Sequence, residues 1–155
     1  MVGGTVANKS EIAKVPSAKL TPFHLAVNVD DLDAARAFYG ALLGANEGRS
    51  TETWVDFDFF GHQLSLHLGP VMASAPTGHV GEHLVPMPHY GVVLPLEAWR
   101  ALADRLTAAG VDFILAPSVR FEGEPGEQWT MFFTDPAGNP IEIKGFPDAS
   151  GIFAH

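Results

Sequence analysis

The chain has 155 residues, 46% hydrophobic and 17% charged, enough for one ordinary domain with a real core and too short for two large ones. Its net charge of −9 and pI near 5.0 argue against nucleic-acid partners, because phosphate-backbone binding is driven by Lys and Arg. The absence of cysteine excludes disulfides, thiolate zinc sites and cysteine nucleophiles, and fits a reducing cytoplasm. No apolar run approaches the length of a membrane span, and no membrane partner is expected.

Residues 1–18 contain Gly, Ser and Lys without a signal-peptide core, and read as a flexible lead-in. From His24 to Val29 the chain alternates and is rich in β-formers, which predicts a strand. Asp30 and Asp31 then offer a carboxylate cap to the free amides of a first helical turn. Leu32, Ala35, Phe38 or Tyr39, and Leu42 recur at helical spacing, with Gly44 as the stop. A weak strand signal covers residues 46–50. Strands follow at Thr53 to Phe59 and Gln63 to Leu68, joined through Phe60-Gly61-His62.

Gly69 to Pro88 holds four prolines and three glycines with no sustained period, and reads as a linker. The pattern then restarts with a strand from His89 to Leu94. Pro95 stands at the first helical position, Trp99, Leu102 and Leu106 share one face, and Gly110 ends the helix. Strands are predicted at Val111 to Leu115, Trp129 to Thr134 and Ile141 to Lys144, the last two joined by the turn Asp135-Pro136-Ala137-Gly138-Asn139. The order is βαβββ twice, an α+β fold with a first module over residues 19–70, a linker over 71–87, a second module over 88–147 and a tail over 148–155.

The two copies place a histidine at the head of each, His24 and His89, and set Ser65 opposite Glu142 at their closing hairpins. The second copy is longer by about 12 residues, since His24 precedes His89 by 65 positions and Ser65 precedes Glu142 by 77. The extra length is assigned to Arg120–Gln128, where Gly123, Pro125 and Gly126 break any strand. It is read either as a lid or substrate-facing loop or as a tolerated surface insertion.

Strand parity puts Gln63, Ser65 and His67 on one face and Glu142 with Lys144 on the matching face of the second hairpin. A carboxylate facing a cavity is costly to bury unless it is paired or ligates a cation. Two histidines and one carboxylate are a common grip on a catalytic divalent metal. Each residue alone has a plainer reading, a hydrogen-bonded strand histidine or a solvated glutamate; their coincidence at matching positions favours His24, His89 and Glu142 as metal ligands.

The segments His24-Leu25-Ala26-Val27, Asp30-Asp31-Leu32-Asp33-Ala34-Ala35-Arg36-Ala37-Phe38-Tyr39 and Phe133-Thr134-Asp135-Pro136-Ala137-Gly138-Asn139-Pro140-Ile141-Glu142 resemble the vicinal oxygen chelate superfamily. That group includes glyoxalase I, type I extradiol dioxygenases, methylmalonyl-CoA epimerase, and the fosfomycin and bleomycin resistance proteins. The resemblance spans roughly residues 20–146. It implies paired βαβββ modules forming a cup-shaped mixed sheet around a divalent metal, in a homodimer or at least between two modules closing on each other. It also implies His24, His89 and Glu142 as ligands. Glyoxalase I-like members carry a further carboxylate where this chain has Ser65, so the expected site has three protein ligands and open positions. That suits Fe(II) or Mn(II), with Zn or Ni as alternatives.

The leading expectation is a metal-dependent enzyme acting on a small chelating substrate, with extradiol-dioxygenase-like chemistry ahead of a glyoxalase-type isomerase or lyase. A metal-free, drug-binding protein of the bleomycin-resistance type is the rival from another class. His67 is the candidate acid–base group, fourth ligand, or plain rim histidine. Arg120, Gln63 and Trp129 are candidate substrate contacts, with Arg120 suited to a substrate carboxylate. Trp54, Phe57, Phe59, Trp129 and Phe133 either wall an apolar pocket or form ordinary core. His79, His83 and His155 receive no role.

Overall fold

Each half of the chain builds one four-stranded mixed sheet, and the second sheet repeats the strand order of the first. The computed structural model describes residues 20–153; the lead-in expected over residues 1–18, and His155, lie outside the described residues. In the first half, β1 (His24–Val29), β2 (Asn46–Ser50), β3 (Trp54–Phe59) and β4 (His62–Leu68) lie in the order β1-β4-β3-β2. The second half opens after a two-stranded hairpin of β5 (Ala75–Val80) and β6 (His83–Met87). Its strands β7 (Tyr90–Pro95), β8 (Phe113–Arg120), β9 (Gln128–Thr134) and β10 (Pro140–Phe146) lie in the order β7-β10-β9-β8. In both sheets the opening strand runs parallel to the closing one, and the other pairings are antiparallel.

The first helix begins as the sequence predicts. The carboxylate of Asp31 accepts from the amides of Asp33 and Ala34, capping α1 (Leu32–Ala35). From Arg36 to Leu42 the helix widens into a π-helix, with the amide of Leu43 donating to the carbonyl of Phe38. The wider turn explains why both Phe38 and Tyr39 are buried, where an α-helical stripe chooses between them. Gly44 ends the segment at φ 79°, the left-handed conformation that favours glycine. In the second half, α2 (Leu96–Ala108) follows Pro95, which is the cap rather than the first helical residue. It buries Trp99, Leu102 and Leu106 as the spacing predicts, together with Ala103.

One core serves both halves. Val29, Leu64, Leu66 and Tyr39 from the first share a single buried cluster with Trp99, Leu106, Phe133, Ile141 and Ile143 from the second. The contact is made on the helix-bearing faces of the sheets, where Phe38 packs against Phe133 with ring centroids 6.1 Å apart. Polar links reinforce it: Asn139 Nδ2 donates to the carbonyl of Asn28 at 2.9 Å, and Tyr39 to Asp135 at 2.8 Å. The opposite faces of the two sheets, which carry the candidate ligands, therefore do not look at each other through this core.

The segment read as an unstructured linker contains the β5–β6 hairpin. Its buried Val85, with Val80, packs on Leu115 and Phe132 of the second sheet. The sparse apolar residues of this hairpin and its prolines hide it from any periodicity test. The extra length of the second half falls mainly in the eight-residue β8 and the loop after it. Among the described residues no helix is long and apolar enough to cross a membrane.

Candidate metal centre

The ladders confirm the alignment of the two halves at atomic register. Ala26 of β1 stands beside Ser65 of β4, and Gly91 of β7 stands beside Glu142 of β10. His24 and His89 each lie two residues before those positions. Ser65 is therefore the counterpart of Glu142, and His24 of His89.

In the second half the pair is assembled. His89 Nε2 lies 3.1 Å from Glu142 Oε2, with their side chains 20% and 10% exposed. The other ring nitrogen, Nδ1, is 2.7 Å from the carbonyl oxygen of Pro86, on the β5–β6 hairpin. A carbonyl can only accept, so Nδ1 carries the hydrogen, and in the neutral ring Nε2 presents a lone pair to the carboxylate. Two acceptors face to face need a proton or a cation between them, and a divalent metal fits that donor set. Thr130 Oγ1 donates to Glu142 Oε1 at 2.7 Å, and Lys144 Nζ stands 4.0 Å from the same oxygen. Phe132 meets the His89 ring edge to face, at 5.0 Å between centroids. The carboxylate is thus aimed by one hydroxyl and one ammonium, and the imidazole by one backbone carbonyl and one aromatic wall.

His24 is not part of that cluster. It is exposed on the open face of its own sheet, and among the described residues no three His, Cys, Asp or Glu side chains converge on a metal-sized space. Within one chain His89 and Glu142 are brought together and His24 stands apart.

The remaining polar candidates divide between the two open faces. Gln63 shares a face with Ser65, its amide donating to Asp56 Oδ2 at 3.3 Å. His67 lies on that same face, exposed and stacked on Trp54 at 6.1 Å between centroids. Arg120 pairs with Gln128 across β8 and β9 and so shares the face of Thr130 and Glu142; its guanidinium covers the Phe121 ring at 4.9 Å. On the same face a cavity of about 330 Å³, which Glu142 does not line, is bordered by Val93, Phe121, Gly126, Gln128, Lys144 and Phe146, so the loop after β8 borders this face. Trp129 points the other way. It packs on Trp99 and Arg100 of α2, as alternation from Thr130 requires, and so faces the helix rather than Glu142. Phe57, Phe59 and Phe133 are core, buried among the helices.

One polar residue of the first face escaped the sequence reading. Asp56 sits directly across the β3–β4 ladder from Ser65, 9% exposed, and Ser65 Oγ donates to its Oδ1 at 2.6 Å. In sequence it alternates with Val55 and Phe57 and looks like one more solvated strand carboxylate. Only its place opposite Ser65, the counterpart of Glu142, distinguishes it.

Comparisons with known proteins bear on the family and the fold. The family model for the glyoxalase/bleomycin resistance protein/dioxygenase superfamily matches residues 21–143. Among solved structures, a glyoxalase/bleomycin resistance protein/dioxygenase from Alicyclobacillus acidocaldarius is 30% identical. The match covers 86% of this chain and 96% of that one, with a TM-score of 0.69. A genomically encoded fosfomycin resistance protein from Listeria monocytogenes shares the fold at 17% identity, 86% and 97% coverage and a TM-score of 0.60. So does a lactoylglutathione lyase from Agrobacterium tumefaciens, at 17% identity, 91% and 100% coverage and a TM-score of 0.58. No curated protein matches the chain.

Proposed function

Because the chain belongs to the glyoxalase/bleomycin resistance protein/dioxygenase superfamily, we propose that it is a metal-dependent enzyme acting on a small substrate through two adjacent oxygens. The observation that carries this reading is the His89–Glu142 contact, in which the Pro86 carbonyl leaves Nε2 and a carboxylate oxygen facing each other at 3.1 Å. A protein that merely sequesters an apolar drug has no use for such a pair.

The third ligand in this proposal is His24 from a second copy of the chain. His24 is open to solvent, and among the described residues β1 and β7 are unpaired edges of separate sheets. Phe23 beside β1 and Val93 on β7 are 65% and 41% exposed, apolar surface that association of two copies would cover. In the resulting homodimer each open face of one protomer closes on the complementary face of the other, giving two cups with His24, His89 and Glu142 in each.

When bound, a divalent metal, Fe(II) or Mn(II) ahead of Zn or Ni, supplies the Lewis acidity that holds two substrate oxygens and stabilises their developing charge. The chain's own residues do the rest. Glu142 is held by Thr130, and His89 is held in one tautomer by Pro86. Gln63 and Arg120 reach the substrate from the two faces, with His67 at the rim. Three protein ligands with Ser65 in place of a fourth leave open positions, which favours extradiol-type chemistry over a glyoxalase-type isomerisation. The absence of cysteine suits work in the reducing cytoplasm.

The test is Mn(II) and Fe(II) binding by calorimetry, with sedimentation analysis of the same samples. Wild type is expected to bind one metal per chain as a dimer, and Glu142→Ala and His24→Ala to lose at least a hundredfold in affinity. Unchanged affinity in Glu142→Ala would sink the metal reading, and dioxygen uptake on a catechol separates the two reaction classes.

A further inference from the structure

Two stretches of the second half have no counterpart among the described residues of the first, and both border one cavity. Residues 121–127 join β8 to β9, where residues 51–53 suffice between β2 and β3. A short 3₁₀ helix, Ala149–Phe153, follows β10, and no such helix follows β4. Between these stretches lies the cavity of about 330 Å³, with Phe121, Gly126, Gly151 and Ile152 on its rim. Ligand pockets run from about 300 to 1,000 Å³, so this one suits a small group rather than a whole cofactor.

The loop is built as a wall. The amides of Glu124 and Glu127 donate to the carbonyls of Phe121 and Glu124, and the Gly123 amide donates to Glu127 Oε2 at 2.8 Å. Phe121 holds φ 56°, a left-handed conformation that is costly for an aromatic residue, while its side chain stays 48% exposed. The guanidinium of Arg120 lies 4.9 Å from the ring centroid and pins it there. Strain kept beneath an exposed aromatic ring marks a contact surface rather than a slack insertion.

Two polar groups of this cavity lack partners, and they lack opposite kinds. Gln128 lines it, and its Oε1 is buried with no hydrogen-bond donor among the described residues. Arg120 stands directly across the ladder, but its guanidinium is turned to Phe121. On the neighbouring strand Lys144 reaches Glu142 Oε1 only at 4.0 Å, beyond hydrogen-bond length, with its side chain 36% exposed. Its ammonium therefore has donors to give, while Gln128 Oε1 needs one. A buried acceptor left unpaired is costly, and a terminal amide turns easily to meet a ligand. One small group answers both needs: a secondary carboxamide, which carries an acceptor and a donor side by side. A carboxylate would satisfy Lys144 but bring no donor to Gln128, and it would stand close to the charge of Glu142.

We infer that this cavity is the subsite for the non-reacting part of the substrate, and that it takes a secondary carboxamide bearing an apolar group. The carbonyl accepts from Lys144 Nζ, the N–H donates to Gln128 Oε1, and the apolar group lies against Phe121 and Ile152. The inference rests on the metal centre proposed above and adds the class of its substrate, a chelating head joined to an amide-linked apolar tail.

The probes are N-benzylacetamide, the similarly shaped ester benzyl acetate, and phenylacetate. Each is titrated by heteronuclear NMR into the full chain, metal-free and loaded with Zn(II). Wild type is expected to bind the amide at least tenfold more tightly than either other probe, with shifts centred on Phe121, Gln128 and Lys144. Gln128→Met removes the acceptor and is expected to bind amide and ester equally, with Zn(II) affinity within twofold of wild type. Lys144→Met is expected to weaken amide and ester by the same factor. Should Gln128→Met fail to fold, the wild-type ratio of amide to ester carries the test. Equal binding of amide and ester by wild type, tighter binding of phenylacetate, or shifts centred elsewhere overturns the inference. So does an unchanged ratio in Gln128→Met or unchanged binding in Lys144→Met. Zn(II) binding is scored separately by calorimetry. A chain that binds the amide but no metal overturns the metal centre alone, and one that binds metal but not the amide overturns the subsite alone.

Discussion

The hydroxyl of Tyr39 donates to Asp135 Oδ2 at 2.8 Å across 96 positions of chain, tying the π-helix of the first half to the β9–β10 turn of the second. The Tyr90 hydroxyl is in contact with that of Tyr39, and since Tyr39 gives its proton to Asp135, Tyr90 is the donor to Tyr39. Asp135 also accepts from the backbone and side-chain amides of Asn139. Tyr39→Phe removes one bond to a buried carboxylate without opening a cavity. The expected cost is about 2 kcal/mol, a fall in Tm of about 4–8 °C, measured by thermal unfolding monitored by circular dichroism. A variant as stable as wild type would show that the tyrosine pair does not hold the halves together.

The same pair makes stability sensitive to alkali. Burial, followed by the charges of Tyr90 and Asp135, raises the pKa of Tyr39 well above 10. Tyr90 is raised as well, by burial first and then by Asp135. The folded state therefore holds these protons where the unfolded chain releases them. Their contribution is fully present below about pH 10 and is lost as pH rises beyond it. Each tyrosine adds about 1.4 kcal/mol per pH unit to that slope. Urea unfolding between pH 9 and 11 is expected to show a shallower decline in Tyr39→Phe/Tyr90→Phe than in wild type.

Thr130→Val tests whether Glu142 is aimed. The hydroxyl donating to Oε1 at 2.7 Å disappears while the shape of the side chain stays nearly the same. Metal affinity is expected to fall about 10- to 100-fold, as when partners of metal ligands are removed. The unfolding midpoint of the metal-free protein is expected to stay within a few degrees of wild type. Calorimetric titration with Mn(II) alongside a thermal melt separates the two effects.

The repeated framework was open to sequence reading because its signals are local. Alternation in Trp54–Phe59, the Asp31 cap and the turn at Asp135–Asn139 each depend on neighbours in the chain. The ladder then pairs Ala26 with Ser65 and Gly91 with Glu142, as the aligned repeats required. What stayed hidden depends on contacts distant in sequence. The β5–β6 hairpin is fixed by packing of Val80 and Val85 on Leu115 and Phe132 rather than by its own pattern. Asp56 has no mark in sequence, since its meaning comes from the strand beside it. Trp129 is a candidate substrate contact by residue type alone, and its alternation with Thr130 turns it toward α2. Nor does any motif announce that His24 stands apart from His89 and Glu142, because the halves join through their helices.

Gly91→Ala probes the backbone beside Glu142. An added Cβ would collide with the carbonyl oxygen of Glu142, so β7 and β10 must move apart. The counterpart in the first half, Ala26, already carries a methyl beside Ser65. The substitution is expected to lower Tm by at least about 5 °C and to weaken metal binding with it. Gly91→Ala melting and binding like wild type would show that this close approach does not constrain Glu142.

The carbonyl that orients His89 belongs to Pro86, on the hairpin between the two sheets. Although the halves look like duplicated units, they are not interchangeable parts. A chimera that exchanged the second sheet with a relative's but kept its own residues 71–87, or the reverse, would inherit an imidazole from one parent and its orientation from the other. The orientation of His89 is therefore inherited only together with the hairpin, and a crossover that keeps the two together falls before Ala75.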